Sequence, residues 1–429
     1  MSEKVRKRNT KDRQTKTGNG VNTKNVIVTN DPDKDPDAGS PWISRFWVFL
    51  KVATSIIVVP CLLLVFLDCV TTTDCDPEYF ELDKPPQWEG NLAPNKILTA
   101  AQRLFENEVY GPECIVHKDG YLYTGTANGT VVRLSPDGTI KVIAHFGRPP
   151  CGAFEDEPTC GRPLGMRFDK EGKLIVIDTY LGLYWLDVDT GKYTQLFPAS
   201  LQVDGSSSRM LNDLTITSEG IIYLTDSSTK WDRRHNRYLV FENRPYGRLL
   251  RHDPVKNTTT LLLKGRKFPN GILLTPNEDS LLFVETTLCR VMRFYIRGPR
   301  TGELEEFASN LPGLPDNISP SSSGGYWLGM AAVRRPTGFS GFDVLATKPY
   351  IRKFLTKVLD QETLLKLGGK PYGMAVELDA EGKIVRTLQD PAGVKIGAIS
   401  QVEDVNGMLY FGSYHAPYLG KLDLKTVKS

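Results

Sequence analysis

The chain has 429 residues, with 38 glycines, 28 prolines and 10% aromatic residues, a balance that suits a turn-rich, all-β protein. Its net charge is only +3, most of the basic excess falls in residues 1–51, and no RNA-binding motif appears, so nothing calls for a nucleic-acid partner. The length would hold two or three average domains, but propellers commonly run large as one unit.

Residues 1–46 read as a disordered basic tail, rich in Lys, Arg, Asn, Thr and Asp and too poor in apolar residues to build a core. Residues 47–67 then form a predominantly apolar stretch in which Lys51 is the one charge, about the 20 residues that a helix needs to cross a bilayer. Lys51 sits one turn inside and can snorkel to the headgroups, while Trp42 and Trp47 suit the interface. A buried core helix or a cleaved signal peptide fits less well, because the rest is β-rich and the stretch starts late. Lys4, Arg6, Lys7, Arg8, Lys11, Arg13 and Arg45 crowd its N-terminal side, whereas Asp68 and Asp74 follow it. The positive-inside rule therefore predicts a single-pass type II protein: cytosolic tail, signal anchor, a lumenal stalk over 68–97, and a large lumenal or extracellular part over 98–429.

Seven cysteines are present. Cys151 and Cys160 bracket the short loop Gly-Ala-Phe-Glu-Asp-Glu-Pro-Thr, which an oxidising compartment would close as a disulfide and a reducing one would leave as two thiols. Asn128-Gly-Thr and Asn257-Thr-Thr are glycosylation sequons on expected turns.

Six strand-like runs end alike: Leu122-Tyr-Thr-Gly125, Ile175-Val-Ile-Asp178, Tyr223-Leu-Thr-Asp226, Phe283-Val-Glu285, Tyr326-Trp-Leu-Gly329 and Leu409-Tyr-Phe-Gly412. Each stops at a small or acidic residue, often after a turn such as Asp119-Gly120 or Asn406-Gly407. The spacing, about 44 to about 83 residues, is that of propeller blades with insertions. The expected fold is a six-bladed β-propeller behind an N-terminal transmembrane helix.

Counting back about 12 to 15 positions from each strand end reaches Glu113, Leu164, Asn212, Asn270, Asp316 with Asn317, and Ser400. Each first-named residue lies two before an apolar one: Ile115, Met166, Leu214, Ile272, Ile318 and Val402. The innermost strand of a blade begins beside the axis, so equivalent positions point into one small space. Glu113, Asn212, Asn270, Asp316 and Asn317 offer two carboxylates and three amide carbonyls, an oxygen-only set that suits one Ca²⁺. Thiolate and imidazole are missing from the ring, which argues against zinc or copper. Asn317 also opens a sequon, Asn317-Ile-Ser, and a ligand role requires it to be buried and unglycosylated.

Gly111-Pro-Glu113, Cys160-Gly-Arg-Pro-Leu-Gly165, Leu211-Asn-Asp-Leu214, Arg266-Lys-Phe-Pro-Asn-Gly271 and Leu314-Pro-Asp-Asn-Ile318 resemble the strictosidine synthase-like propellers, and the likeness runs from about Leu98 to the C-terminus. The resemblance implies six blades, kinship with paraoxonases and gluconolactonases, and a Cys151–Cys160 disulfide. It also implies a calcium set at positions matching Glu113, Asn212, Asn270, Asp316 and Asn317. Two positions depart from the pattern. Ser400 stands where plant strictosidine synthases carry their catalytic glutamate, so alkaloid condensation is not expected. Leu164 and Thr179 stand where paraoxonases carry a histidine dyad, and the five histidines lie elsewhere.

The remaining chemistry is an arylesterase-like hydrolysis of small hydrophobic esters at a central Ca²⁺, with a base drawn from Asp213, Asp226, Asp178, Glu285 or His415. Of these, Asp213 and His415 are preferred, because the three strand-end acids are expected at the far end of the inner strand. No Gly-x-Ser-x-Gly elbow is present. The competing reading is a non-enzymatic binding or scaffold propeller whose calcium staples the blades. Finally, 349–365 reads as a helix with Ile351, Phe354, Leu355, Val358 and Leu359 on one face, packed over the propeller, closing the metal mouth or resting on a membrane.

Overall fold

The structure, a computed structural model, describes residues 41–70, 74–337, 340–366 and 371–427. The described residues divide into two units, one ending at Phe66 and the other beginning at Leu67. Of the tail expected over 1–46, residues 1–40 lie outside the described residues, and 41–46 belong to a helix instead. In the first unit begins helix α1, Pro41–Val70. Its segment Trp42–Leu63 has a mean hydropathy of 2.2 and no burial, so it is long and apolar enough to cross a membrane. The helix starts ahead of the expected span at residue 47.

The second unit is a six-bladed β-propeller. The outermost strand of the last blade comes from the N-terminal side, β1 (Gln102–Leu104). Blade 1 follows with β2 (Ile115–Lys118), β3 (Tyr121–Gly125), β4 (Thr130–Leu134) and β5 (Ile140–His145). Blade 2 is β6 (Pro163–Phe168), β7 (Leu174–Asp178), β8 (Gly182–Leu186) and β9 (Tyr193–Pro198). Blade 3 is β10 (Leu211–Ile216), β11 (Ile222–Asp226), β12 (Gly247–Asp253) and β13 (Thr258–Arg266). Blade 4 is β14 (Pro269–Leu274), β15 (Ser280–Glu285), β16 (Arg290–Tyr295) and β17 (Leu304–Ala308). Blade 5 is β18 (Gly313–Pro320), β19 (Tyr326–Val333), β20 (Gly373–Leu378) and β21 (Ile384–Asp390). Blade 6 is β22 (Val402–Val405), β23 (Met408–Phe411) and β24 (Leu419–Asp423), completed by β1.

Among the described residues every blade is thus an antiparallel four-stranded sheet, and the β1–β24 pairing, with Arg103 opposite Gly420, closes the ring. Closure removes two edges that would otherwise be open to strand addition. The core is distributed between blades. Met166, Leu174, Val176 and Leu186 of blade 2 pack against Val116, Tyr123 and Val131 of blade 1, and comparable clusters fill the other five junctions. This follows from the strand pattern, since a sheet with apolar residues on both faces must be covered on both.

Short helices cap one end. α2 (Glu157–Cys160) ends the loop closed by the Cys151–Cys160 disulfide. α3 (Asn236–Glu242) is inserted between β11 and β12. α4 (Gly341–Ala346), α5 (Pro349–Val358) and α6 (Gln361–Lys366) lie between β19 and β20. All three insertions leave the ends of strands that run towards the start of the innermost strands, so they gather at the axial mouth's end of the propeller.

Residues 75–97 do not stand free as the expected stalk. Glu78 N donates to Glu242 O at 2.8 Å, Phe80 packs on Phe342, and the buried Arg334 holds the carbonyl of Asp83 at 2.6 Å. Asn95 then bonds Thr387 O at 3.0 Å and accepts from Gln389 N at 3.0 Å, covering the outer edge of blade 5. The reason is the same as for ring closure: β21 has an exposed row of backbone groups, and this strap satisfies part of it.

Candidate metal centre

The six apolar residues used as markers in the sequence are the points where regular pairing of the first two strands begins or resumes. Ile115 faces Thr124, Met166 faces Val176, Leu214 faces Leu224, Ile272 faces Phe283, Ile318 faces Leu328 and Val402 faces Phe411. All six are fully buried. In blades 2 to 5 the register shifts immediately before the marker, at 163–166, 211–214, 269–272 and 315–318. Such a β-bulge re-aims side chains that a regular pleat would send into the sheet faces.

The bulges are held by the neighbouring blade. Thr225 Oγ1 at the end of β11 donates to Asn270 O at 2.7 Å, and Thr286 Oγ1 just after β15 donates to Pro315 O at 2.8 Å. Ser400 Oγ donates to Glu113 O at 2.5 Å, and Asn317 N donates to Ser400 O at 2.8 Å. Where the strand ends in glycine the approach is closer still. A Cβ on Gly412 would lie 2.5 Å from Glu113 O, and one on Gly271, inside the bulge of blade 4, 2.5 Å from Asn317 Cα. The recurring small strand ends therefore dock the first loop of the next blade.

Glu113, Asn212, Asn270, Asp316 and Asn317 are all buried, between 1% and 6% exposed. Each amide nitrogen is tied back: Asn212 Nδ2 to Ser227 Oγ at 3.0 Å, Asn270 Nδ2 to Thr286 Oγ1 at 3.2 Å, and Asn317 Nδ2 to Glu113 Oε1 at 3.1 Å. The matching oxygens, Asn212 Oδ1, Asn270 Oδ1, Asn317 Oδ1 and Glu113 Oε2, are buried and have no hydrogen-bond partner. Four such acceptors at equivalent blade positions, each costing about 1–3 kcal/mol if left unmatched, fit a cation with oxygen preference. Burial, and then the Asp213 charge, push the Glu113 carboxyl up to about 7. Burial and the Glu113 charge push Asp316 well above its ordinary value. Like charges so enclosed are compatible with ionisation only when a positive charge shares the space.

Blade 2 brings Leu164 and blade 6 Ser400 to the same ring; the Ser400 hydroxyl is already committed to Glu113 O. Asp213, beside Asn212, points between blades: its Oδ2 accepts from Ile272 N at 3.1 Å and Arg167 Nη2 at 3.4 Å. That arrangement couples blades 2, 3 and 4 and steadies the third bulge. Asp178, Asp226 and Glu285 differ from expectation in position. They end second strands, paired with Pro163, Leu211 and Pro269, and so lie at the mouth's end, because the second strand runs back antiparallel to the first. Two are neutralised by arginines: Asp226 by Arg248 at 2.9 Å, and Glu285 by Arg266 at 2.9 Å and Arg290 at 2.6 Å. Asp178 accepts from Tyr180 N and Leu181 N at 3.1 and 3.0 Å.

The rim carries residues that the sequence reading missed. Arg162 is fully buried and donates to Gly111 O at 2.7 Å and Tyr414 O at 3.2 Å. Arg237, on α3, lies over the Tyr414 ring. The charge of Arg162 lowers Glu113 against the effect of burial, and that of Arg237 does the same for Asp316, so both guanidinium groups border the ring. His415 stands exposed beside Tyr414, and crowding around its ring, then Arg237, hold it below the usual histidine value. Arg162 has a sequence signal, two positions before the blade-2 opening residue; Arg237 has none, because an insertion brings it there.

Asn128 and Asn257 are exposed, the latter in a turn with φ 49°, and Asn317 is 1% exposed.

The strictosidine synthase family profile matches residues 212–299, and the profile of the strictosidine synthase-like N-terminal region matches 90–134. The chain is 42% identical over 405 residues to the chicken adipocyte plasma membrane-associated protein, covering 94% of this chain and 96% of that one. Its identity to the human protein of that name is 41% over 406 residues, with the same coverage. The chain belongs to the adipocyte plasma membrane-associated protein family. Membership spans the apolar helix as well as the propeller and fits a membrane-anchored protein. Among solved structures, a gluconolactonase from Xanthomonas campestris superposes with a TM-score of 0.51 at 16% identity, over 82% of this chain and 99% of that one. At that identity the likeness speaks for the propeller fold alone.

Proposed function

We propose that this family member is a single-pass type II membrane glycoprotein whose propeller holds one axial Ca²⁺ and hydrolyses small aryl esters. The supporting observation is the set of four unpartnered oxygens, from Glu113, Asn212, Asn270 and Asn317, each on a side chain whose other polar atom, where present, is already bonded. With Asp316 they are the residues that would hold the ion, and two carboxylates balance its charge. A bound Ca²⁺ supplies polarisation of an ester carbonyl and stabilisation of the developing oxyanion. The chain's own part is to seat the ester at the mouth between Arg162, Arg237 and Tyr414. His415, held below the usual histidine value and open to solvent, is the proton acceptor in this reading.

A scaffold in which the ion only joins blades is the second reading. It is favoured by the commitments of Ser400 to Glu113 O, of Asp226 to Arg248 and of Glu285 to Arg266 and Arg290, which take these three groups out of proton transfer. Phenyl acetate hydrolysis by the full-length protein in detergent decides between them. The hydrolase reading expects turnover that EDTA abolishes, Ca²⁺ restores and Asn270→Ala reduces. No turnover from folded, calcium-loaded protein, or turnover indifferent to EDTA, would leave the scaffold.

A further inference from the structure

Helix α5 is built inside out. Its most exposed residues are Tyr350 at 80%, Ile351 at 47% and Val358 at 42%, and Val344 of the neighbouring α4 is 40% exposed. The residues it buries are Arg352 and Thr356, one turn apart. The Arg352 guanidinium serves as a bracket, donating to the carbonyls of Glu78, Phe241 and Ala346 and lying 4.9 Å from the Phe80 ring. Phe354, Leu355 and Leu359 are only half-buried, so the apolar face expected to pack inwards is largely turned out. Lys348, Lys353 and Lys357 flank this face, and α5 itself carries no acid; Asp360 and Glu362 come after it.

We propose that this face of α4 and α5 rests on the bilayer that α1 crosses, with its apolar side chains at the acyl boundary and its lysines among anionic headgroups. Two features select a lipid surface over other occupants. One is composition: apolar residues outward with basic residues at their margins is the pattern of an interfacial helix. The other is chain continuity. α1 ends at Val70, and by Asp74 the chain is already on the propeller, where Lys230 Nζ bonds Asp74 O at 2.6 Å. Four residues further, Glu78 is bonded to both α3 and Arg352 of α5. The apolar segment of α1 ends at Leu63; the helical residues on to Val70 add about 10 Å and four extended residues to Asp74 at most about 14 Å, which bounds how far from the acyl boundary the strap's first contacts can lie. The inference rests on α1 being a membrane span and needs nothing from the ester chemistry.

The test uses the full chain with Cys61→Ser and Cys69→Ser, reconstituted into phosphatidylcholine vesicles with and without phosphatidylserine. An environment-sensitive fluorophore is attached at Ile351→Cys in one variant and Val255→Cys in another. Val255 is 90% exposed in the turn between β12 and β13, at the opposite end of the propeller. The expected result is blue-shifted emission at 351, quenched several-fold more by spin-labelled lipid than emission at 255, with the difference enlarged by phosphatidylserine. Protein that floats with vesicles while 351 is as wet as 255 overturns the docking and leaves the anchor. Protein that fails to float overturns both. A blue shift at 351 that lipid does not quench and that fades in protein-poor vesicles assigns the face to a second copy, and also overturns the proposal.

Discussion

Replacing Asn270 by alanine removes one oxygen from the axial ring and little else. The main-chain oxygen of residue 270 still accepts from Thr225 Oγ1, and Thr286, which loses the amide, still donates to Pro315 O at 2.8 Å. The blade-4 bulge is therefore still clamped from blade 3, through Thr225 and through Asp213 Oδ2 on Ile272 N, and the clamp from blade 4 onto blade 5 is intact. Without calcium the variant should match the parent to within about 1 kcal/mol, since an unpartnered buried acceptor is lost together with one weak hydrogen bond. With calcium the difference should be larger. If each of the four unpartnered oxygens is matched by the ion at about 1–3 kcal/mol, losing one weakens calcium binding by about 5- to 150-fold. Calorimetric titration of Ca²⁺ into the full-length protein in detergent reads this directly. Thermal unfolding gives a second measure, because an ion at 100 times its dissociation constant stabilises by about 2.7 kcal/mol. Parent-like calcium affinity in Asn270→Ala, or absence of calcium binding in the parent, would refute the argument from unpartnered oxygens.

Gly271→Ala should cost about 1–3 kcal/mol in denaturant unfolding and weaken calcium binding as well, because its Cβ meets the backbone of Asn317 and Ile318, which cannot turn aside. Reducing the Cys151–Cys160 disulfide, which closes a short loop, should lower unfolding free energy by about 2–3 kcal/mol, and the double serine variant should reproduce the loss without reductant. Asn128→Gln and Asn257→Gln should each remove one glycan and shift electrophoretic mobility, whereas Asn317→Gln should not, since that side chain is enclosed. A glycan found on Asn317 would mean that the ring does not form as described.

The repeat was legible because each blade is a local hairpin with period-two burial, and its turns and strand ends are written in consecutive residues. The ring was legible for a related reason: Ile115, Met166, Leu214, Ile272, Ile318 and Val402 hold register, so the residue two before each has an equivalent place around the axis. What failed was direction. Asp178, Asp226 and Glu285 were expected away from the mouth, because strand-end position was counted along one strand without its antiparallel return. For α5 the apolar spacing names a face but not the side it looks to: Arg352 found three carbonyls in the strap, α3 and α4, and that bracket sets the apolar face outward.

The sequence by itself determined six blades, which residues open each of them, and an apolar helix fit to cross a membrane. All of these depend on spacing and residue type within short stretches. Only the tertiary structure decided which oxygens are left without partners, that Asp213 couples three blades, that Arg162 and Arg237 border the ring, and which face of α5 looks outward. Those depend on contacts between segments far apart in the chain, such as Arg352 with Glu78 or Asn317 with Glu113, and no local pattern records them.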